Sequence, residues 1–368
     1  QLPSLPLGFA SGTADFVIDV DIPGRRDEGA RQAMLRVSSP LEGIEIDLPP
    51  PLGKTAASTE TLALTLPLQA GPAPGKLVYG DRLAARFDRA GERIAIRFDD
   101  VLPDLPSEPG LRLGGTLDEL DIAAWHTATA KLPPTTRGPL PDIAGRIRVA
   151  RLANLPFHIG PVDADLDNRA GAWTIGLDSP QLSGTLRIPA DLASAPIEAA
   201  LQRLVLEWPM PSTDMPTPPP DLGESIDPTG FPGLRLTVDD VQVNAAHLGP
   251  LAINADPTGN GWHVNKLTLG DETGSLVADA RWARVDGAVR SEFTGTAESN
   301  NLGDLPVALG YDRQVEGASG MVEISLAWAG DPMQFHPATV EGDMTLSLAK
   351  GRLVELDPGA KRIVGLLN

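Results

Sequence analysis

Apolar and polar residues alternate along most of this chain with a period of two. In "DFVIDVDI", Phe16, Ile18, Val20 and Ile22 fall on one side and Asp15, Asp19 and Asp21 on the other. The alternation returns at Ile44, Ile46 and Leu48, at Ile94, Ile96 and Phe98, at Leu111, Leu113 and Leu117, and at Leu234, Leu236 and Val238. It continues at Leu276, Ala278, Ala280 and Trp282, at Val322, Ile324, Leu326 and Trp328, and at Met344, Leu346 and Leu348. A period of two is that of a strand with one dry and one wet face. Clusters of Gly, Pro, Asp and Asn separate these strands at short intervals, so antiparallel pairing is the expected topology.

Helical patterns are scarce. "NLGDLPVALGY" (Leu302, Leu305, Leu309) and the terminal "PGAKRIVGLL", with Pro358 near a first helical position, are the two short candidates. "IEAALQRLVLEW" suits either element, and Ile197, Ala199 and Leu201 favour a strand. Residues 208–233 form one long Pro-rich stretch that no central strand could accommodate, because proline lacks the ladder donor. It reads as a loop or linker between a first β segment, residues 1–207, and a second, residues 234–368.

The most informative feature is an internal repeat. His158 precedes Trp173 by fifteen residues, as His247 precedes Trp262, and the two copies are offset by 89. The same offset pairs Arg146 with Arg235, Ile147 with Leu236, Val149 with Val238 and Leu152 with Val241; a one-residue slip then brings Gly184 opposite Gly274. Copy one covers about residues 146–190 and copy two about 235–282. Such units in series extend one sheet instead of closing separate cores.

Composition narrows the partners. The chain has 368 residues, 42% hydrophobic but only 4% aromatic, so the dry faces are aliphatic and better matched to acyl chains than to sugars or bases. A formal charge of −19 excludes a nucleic-acid partner and disfavours docking on anionic bilayers, since both demand clustered Lys and Arg. Cysteine is absent, which removes disulfides, thiolate metal sites and a cysteine nucleophile. No apolar run is long enough for a membrane helix, and Gln1 is not an initiator Met. The chain is therefore expected to be an internal or C-terminal fragment of something longer, severed within its terminal apolar run Ile363, Val364, Leu366 and Leu367.

Chemistry is hard to find. Gly53-Lys54-Thr55 resembles the end of a phosphate-binding loop, but Leu48 stands where the first glycine belongs and three prolines precede Gly53's neighbour Leu52. His126, His158, His247, His263 and His336 show no zinc-helix spacing. Ser319 lacks the surroundings of a nucleophile elbow, and Asp99-Asp100 and Asp239-Asp240 are strand neighbours that point to opposite faces. Trp125, Trp173, Trp262, Trp282 and Trp328 sit near strand ends or glycines, as packing plugs at repeat boundaries would. No catalytic residue, metal site or cofactor is expected, and the residues alone describe an extended, non-enzymatic all-β protein.

Residues 41–56, 111–125, 302–335 and 342–368, with the Trp-punctuated repeats between them, resemble the AsmA-like proteins of Gram-negative bacteria, in their YhdP branch. The resemblance spreads over most of the chain and is strongest from about residue 235 onward. It implies an elongated, curved antiparallel β-sheet forming a hydrophobic groove built from serial repeats, with very few short helices. It implies a periplasmic segment of a protein anchored in the inner membrane, carrying phospholipid between inner and outer membranes. Its further partners would be the remainder of the same longer chain and the two membranes, reached through regions absent here. The residues expected to line the groove are Phe16, Ile18, Val20, Ile44, Ile46, Ile94, Ile96, Leu111, Leu113, Leu236, Val238, Leu276, Val322, Ile324, Leu326, Met344, Leu346 and Leu348. The competing reading is a scaffold that assembles outer-membrane proteins by adding strands to its edges; a glycan-cleaving enzyme would need a converging acid pair that the sequence does not display.

Overall fold

The computed structural model describes residues 7–23, 32–69, 73–130, 142–154, 159–207, 226–244, 246–300, 315–335 and 339–353. Contacts divide the chain into two units, Gln1–Pro180 and Gln181–Asn368. Both are almost wholly β, as the alternation predicts. The division falls at Pro180, ahead of the Pro-rich stretch, of which residues 208–225 lie outside the described residues.

In the first unit a short 3-10 turn, Leu7–Phe9, leads into β1 (Ala10–Gly12) and β2 (Val17–Asp21), followed by β3 (Met34–Ser39) and β4 (Ile44–Ile46). Then come β5 (Leu62–Pro67), β6 (Gly75–Tyr79), β7 (Leu83–Phe87), β8 (Arg93–Phe98) and β9 (Gly110–Leu117). Helix α1 (Ile122–Ala130) precedes β10 (Ile143–Val149), β11 (Val162–Arg169) and β12 (Ala172–Asp178). β1 and β4 form a separate two-stranded sheet, while β2, β3 and β5 to β12 pair in chain order.

The second unit is a ladder in strict chain order. It runs through β13 (Leu182–Ile188), β14 (Ile197–Leu206), β15 (Leu234–Val243), β16 (Ala246–Thr258), β17 (Gly261–Gly270), β18 (Gly274–Val285), β19 (Ala288–Ser299), β20 (Val315–Ala329) and β21 (Glu341–Leu353). The ambiguous stretch at Ile197 is thus the strand β14. Both short helical candidates lie outside the described residues.

Three ladder contacts depart from the antiparallel expectation. β8 and β9, β9 and β10, and β14 and β15 are parallel. Parallel neighbours need a crossover connection in place of a tight turn, and the intervening stretches 99–109, 118–142 and 207–233 are the lengths of chain between those strands. One of these holds α1, an element absent from the sequence reading. Its signal was Asp121, whose carboxylate accepts the Ala124 N–H at 2.8 Å as an N-cap before an alanine-rich run.

The repeat is reproduced at the level of register. Ile147 faces Ala164 as Leu236 faces Ile253, Val149 faces Val162 as Val238 faces Leu251, and Asn168 faces Trp173 as Pro257 faces Trp262. Each pair in copy two is its counterpart plus 89. In both copies the first strand is parallel to its predecessor. The one-residue slip is a β-bulge: Ala255 faces Val264 but Asn254 faces Lys266, leaving Asn265 as the extra residue.

Candidate functional site

Residues directly opposite across a ladder share a face, so the registers can be followed from strand to strand. In the first unit Ile18, Val37, Leu64, Leu77, Ala85, Ile96, Leu113, Gly145, Leu166 and Ile175 form one continuous row from β2 to β12. Phe87, Ile94, Leu111, Ile143, Asn168 and Trp173 form a parallel row on the same face. Between them on the reverse face runs Asp19, Arg36, Thr65, Lys76, Arg86, Ala95, Arg112, Ala144, Asp167 and Thr174.

The second unit repeats this division over nine strands. One row is Gly184, Leu201, Val238, Leu251, Leu269, Leu276, Ala297, Val322 and Leu346. The next is Leu186, Ala199, Leu236, Ile253, Leu267, Ala278, Gly295, Ile324 and Met344. A third joins Ile197, Leu234, Ala255, Val264, Ala280, Phe293 and Leu326. The reverse face carries Asp256, His263, Arg281 and Glu292 in one row and Thr185, Thr237, Thr268, Thr296 and Glu323 in another.

Of the residues expected to line a groove, Ile18, Val20, Ile94, Ile96, Leu111 and Leu113 belong to the apolar face of the first unit, while Phe16 lies just before β2 and is 48% exposed. Leu236, Val238, Leu276, Val322, Ile324, Leu326, Met344, Leu346 and Leu348 belong to that of the second. Ile44 and Ile46 stand apart: they lie on β4, outside the ladder and paired with β1. Burial also varies along the faces. Ile18 is 64% exposed and Leu346 42%, whereas Leu276, Val322, Ile324 and Leu326 are partly buried. Val238 is covered, at 1% exposure, in a packed cluster with Val241 and Val243 against Leu201, Leu236 and Leu251, beside the parallel junction of β14 and β15. A similar cluster of Leu117, Ile147 and Val149 sits beside the junction of β9 and β10. The faces are therefore covered beside these two parallel junctions and partly open over much of the remaining described ladder.

The chemistry-bearing groups are absorbed by structure. Lys54 is 7% exposed and its Nζ donates to the carbonyls of Leu41 at 2.8 Å, Ile44 at 2.5 Å and Thr55 at 2.9 Å, tying β4 to its loop. His247 and His263 lie against Asp240 and Asp279 on exposed surface. His158 and His336 are outside the described residues. A shallow depression of about 870 Å³ on the polar face of β8 to β12 is lined by Arg97, Arg112, Arg146, Arg148, Asp163 and Asp165. Most of these charges compensate one another: Arg146 meets Asp165 directly across the ladder at 2.7 Å and Arg148 meets Asp163 at 2.8 Å. The guanidinium hydrogen bonds hold the Asp165 carboxyl below its ordinary pKa, as Arg97 does for Asp99 and Arg235 for Asp256. Among the described residues no group of His, Cys, Asp and Glu could hold a metal ion, and no helix is long and apolar enough to cross a membrane.

What remains among the described residues is a mostly apolar and a mostly polar face, spread over many strands, with no focus of reactive groups. The YhdP protein family matches the chain over residues 2–368. The chain belongs to the YhdP family. No curated protein and no solved structure matches it. YhdP membership carries the coarse expectation of bridge-like lipid transport in the Gram-negative envelope, and the apolar rows are the part of the molecule able to meet it.

Proposed function

We propose that this chain is a periplasmic segment of a bridge-like lipid transfer protein, in which the apolar faces shield the acyl chains of phospholipids moving between inner and outer membranes. The observation that carries the reading is the aliphatic rows that cross nine strands of the second unit without a charged residue and with most members neither sealed nor fully exposed. Exposing a lipid tail to water costs about 0.8 kcal/mol per CH₂, whereas burying its head group costs more than it returns. A one-sided apolar surface separates those two demands. Because Leu, Ile, Val and Ala recur from strand to strand, a tail moving along a row meets similar surroundings at each step and no deep well holds it.

The test is to purify the full chain, extract bound lipid and identify it by mass spectrometry, alongside the Ile324→Asp variant. Phospholipid is expected in the wild-type extract and a several-fold lower amount in the variant, with the circular dichroism of both unchanged. Wild-type protein free of lipid would refute the reading.

A further inference from the structure

The two rims of the second unit's apolar face differ in kind. Beyond the row that ends at Leu326, the next residues on the same face are Trp262, Trp282, Ser291 and Trp328, opposite one another in register. Trp282 is 7% exposed, Trp328 8% and Ser291 2%. Two loop segments close over them. Phe231 packs edge-on against Trp282 at 4.9 Å, and Phe335 against Trp328 at 5.3 Å. Polar ties fasten the loops: Trp262 Nε1 donates to the Pro232 carbonyl at 3.0 Å, Trp328 Nε1 to the Asp331 carbonyl at 3.0 Å, the Ile226 N–H to the Asp331 carboxylate at 3.1 Å, and Arg284 to Asp227 at 2.9 Å. The remaining indole N–H, on Trp282, is buried and has no partner among the described residues. Trp282 and Trp328 are dry beneath Phe231 and Phe335, which are themselves 37% and 38% exposed, and two of the rim's three indole donors are engaged while the third is out of reach of solvent.

At the other end of the same strands the corresponding row is Gly274, Ser299, Gly320 and Leu348. Two of its members have no side chain and none is aromatic. A shallow depression of about 550 Å³ lies at this end of the strands, lined by this row together with its reverse-face neighbours Ser275, Glu298 and Ser347 and by the acids Asp271 and Glu272. From Trp328 to Gly320 the strand covers about 27 Å at ~3.4 Å per residue. One leaflet's worth of acyl chain is about 15 Å, half the hydrocarbon thickness of a bilayer. A tail laid along the strands from the tryptophan rim therefore ends before the glycine and serine rim, leaving space for the glycerol and head group.

Resting on the lipid-transfer reading, we infer that a phospholipid on this face lies along the strands with its tail ends at the Trp262–Trp282–Trp328 rim and its head group at the Gly274–Ser299–Gly320 rim. A phosphate turned the other way would lose its water against an aromatic rim whose indole donors are engaged or buried.

The chain has six tryptophans, so the full-length triple variant Trp125→Phe, Trp173→Phe, Trp208→Phe leaves only the three rim indoles as emitters. It would be loaded either with phosphatidylcholine brominated near the tail ends or with phosphatidylcholine carrying a nitroxide on the head group. Tail bromines are expected to quench emission at least twofold and the head-group label to leave it nearly unchanged. Stronger quenching by the head-group label would overturn the orientation while leaving lipid carriage intact. Mass spectrometry of the same samples separates the two ideas, because absence of lipid from all of them refutes transfer itself and the orientation with it. Should the triple variant fail to fold, a photo-crosslinking residue placed singly at Phe231 or at Ser299 in the otherwise unchanged chain gives the same discrimination. Adducts are expected on acyl carbons from position 231 and on the glycerol or head group from position 299; the reverse pattern overturns the inference.

Discussion

Leu276 and Val277 are neighbours on β18 and nearly equal in hydrophobicity, but they occupy opposite faces. Leu276 faces Leu269 and Ala297 in an apolar row and is partly buried; Val277 faces Thr268 and Thr296 and is 57% exposed. If the apolar face is the working surface, Leu276→Asp and Val277→Asp have different consequences. Full burial of a leucine is worth about 1.5–3 kcal/mol, so partial burial forfeits about 1–2 kcal/mol, and a carboxylate lacking hydrogen-bond partners among aliphatic side chains adds about 1–3 kcal/mol. The total, about 2–5 kcal/mol, lies below the ~5–15 kcal/mol that holds a domain together, so the variant stays folded. An acyl chain passing the carboxylate meets an added barrier of about 2–3 kcal/mol, which slows transfer roughly 30- to 150-fold. Val277→Asp places its charge in water and costs about 0.5–1 kcal/mol in strand preference, with transfer unchanged. The assay is exchange of fluorescent phospholipid between vesicles together with the lipid content of purified protein. Equal losses in the two variants, or no loss in either, would show that the face division has nothing to do with lipid.

Two further expectations concern the scaffold. Lys54→Met leaves three carbonyls near β4 without their shared donor and should lower stability by about 2–4 kcal/mol, seen as an earlier denaturation midpoint, while lipid content stays unchanged because β4 lies outside the ladder; undiminished stability would mean that the lysine is not a structural tie. Hydrogen bonds from Arg97 and Arg235 depress the folded-state pKa values of Asp99 and Asp256. Their contribution is therefore complete above the unfolded value of about 4 and is lost as pH falls through the folded values. The thermal midpoint should accordingly drop at pH below about 4, more gently in Arg97→Gln than in the wild type; superimposable pH profiles would discount the pair.

The division into two faces was legible in the sequence because the strand period is a property of the backbone, and every alternating segment on the ladder kept its apolar residues together. The repeat was legible to the level of register: the 89-residue offset between His158-to-Trp173 and His247-to-Trp262 reappears as Val149 facing Val162 and Val238 facing Leu251. Alternation is silent about the direction of a neighbour, which is why the parallel junctions at β9 and β15 did not show. It is equally silent about what lies above a face. Ile18 at 64% exposure and Val238 at 1% carry the same periodic signal; they differ because a packed cluster has formed beside the junction of β14 and β15, whereas β2, among the described residues, has a ladder partner on one edge alone.

The tryptophans mark the limit most sharply. Their places near strand ends were visible, but Trp282 and Trp328 are separated by a hairpin and a long connection and come into one row solely because Ser291 faces both. That adjacency depends on long-range register, which no local pattern encodes. It also turns a set of packing plugs into one aromatic-covered side of an apolar surface whose other side, among the described residues, carries no aromatic cover. A symmetric pair of rims would let an amphiphile lie either way across the strands, and lateral movement would scramble its orientation at every step. With one rim dry and the other wet, reversal requires drawing a head group past the aliphatic rows at the full cost of its desolvation, while sliding along the rows keeps each end in its own environment. If the chain carries phospholipid as proposed, directional order of the cargo follows from the placement of four side chains in a single register row.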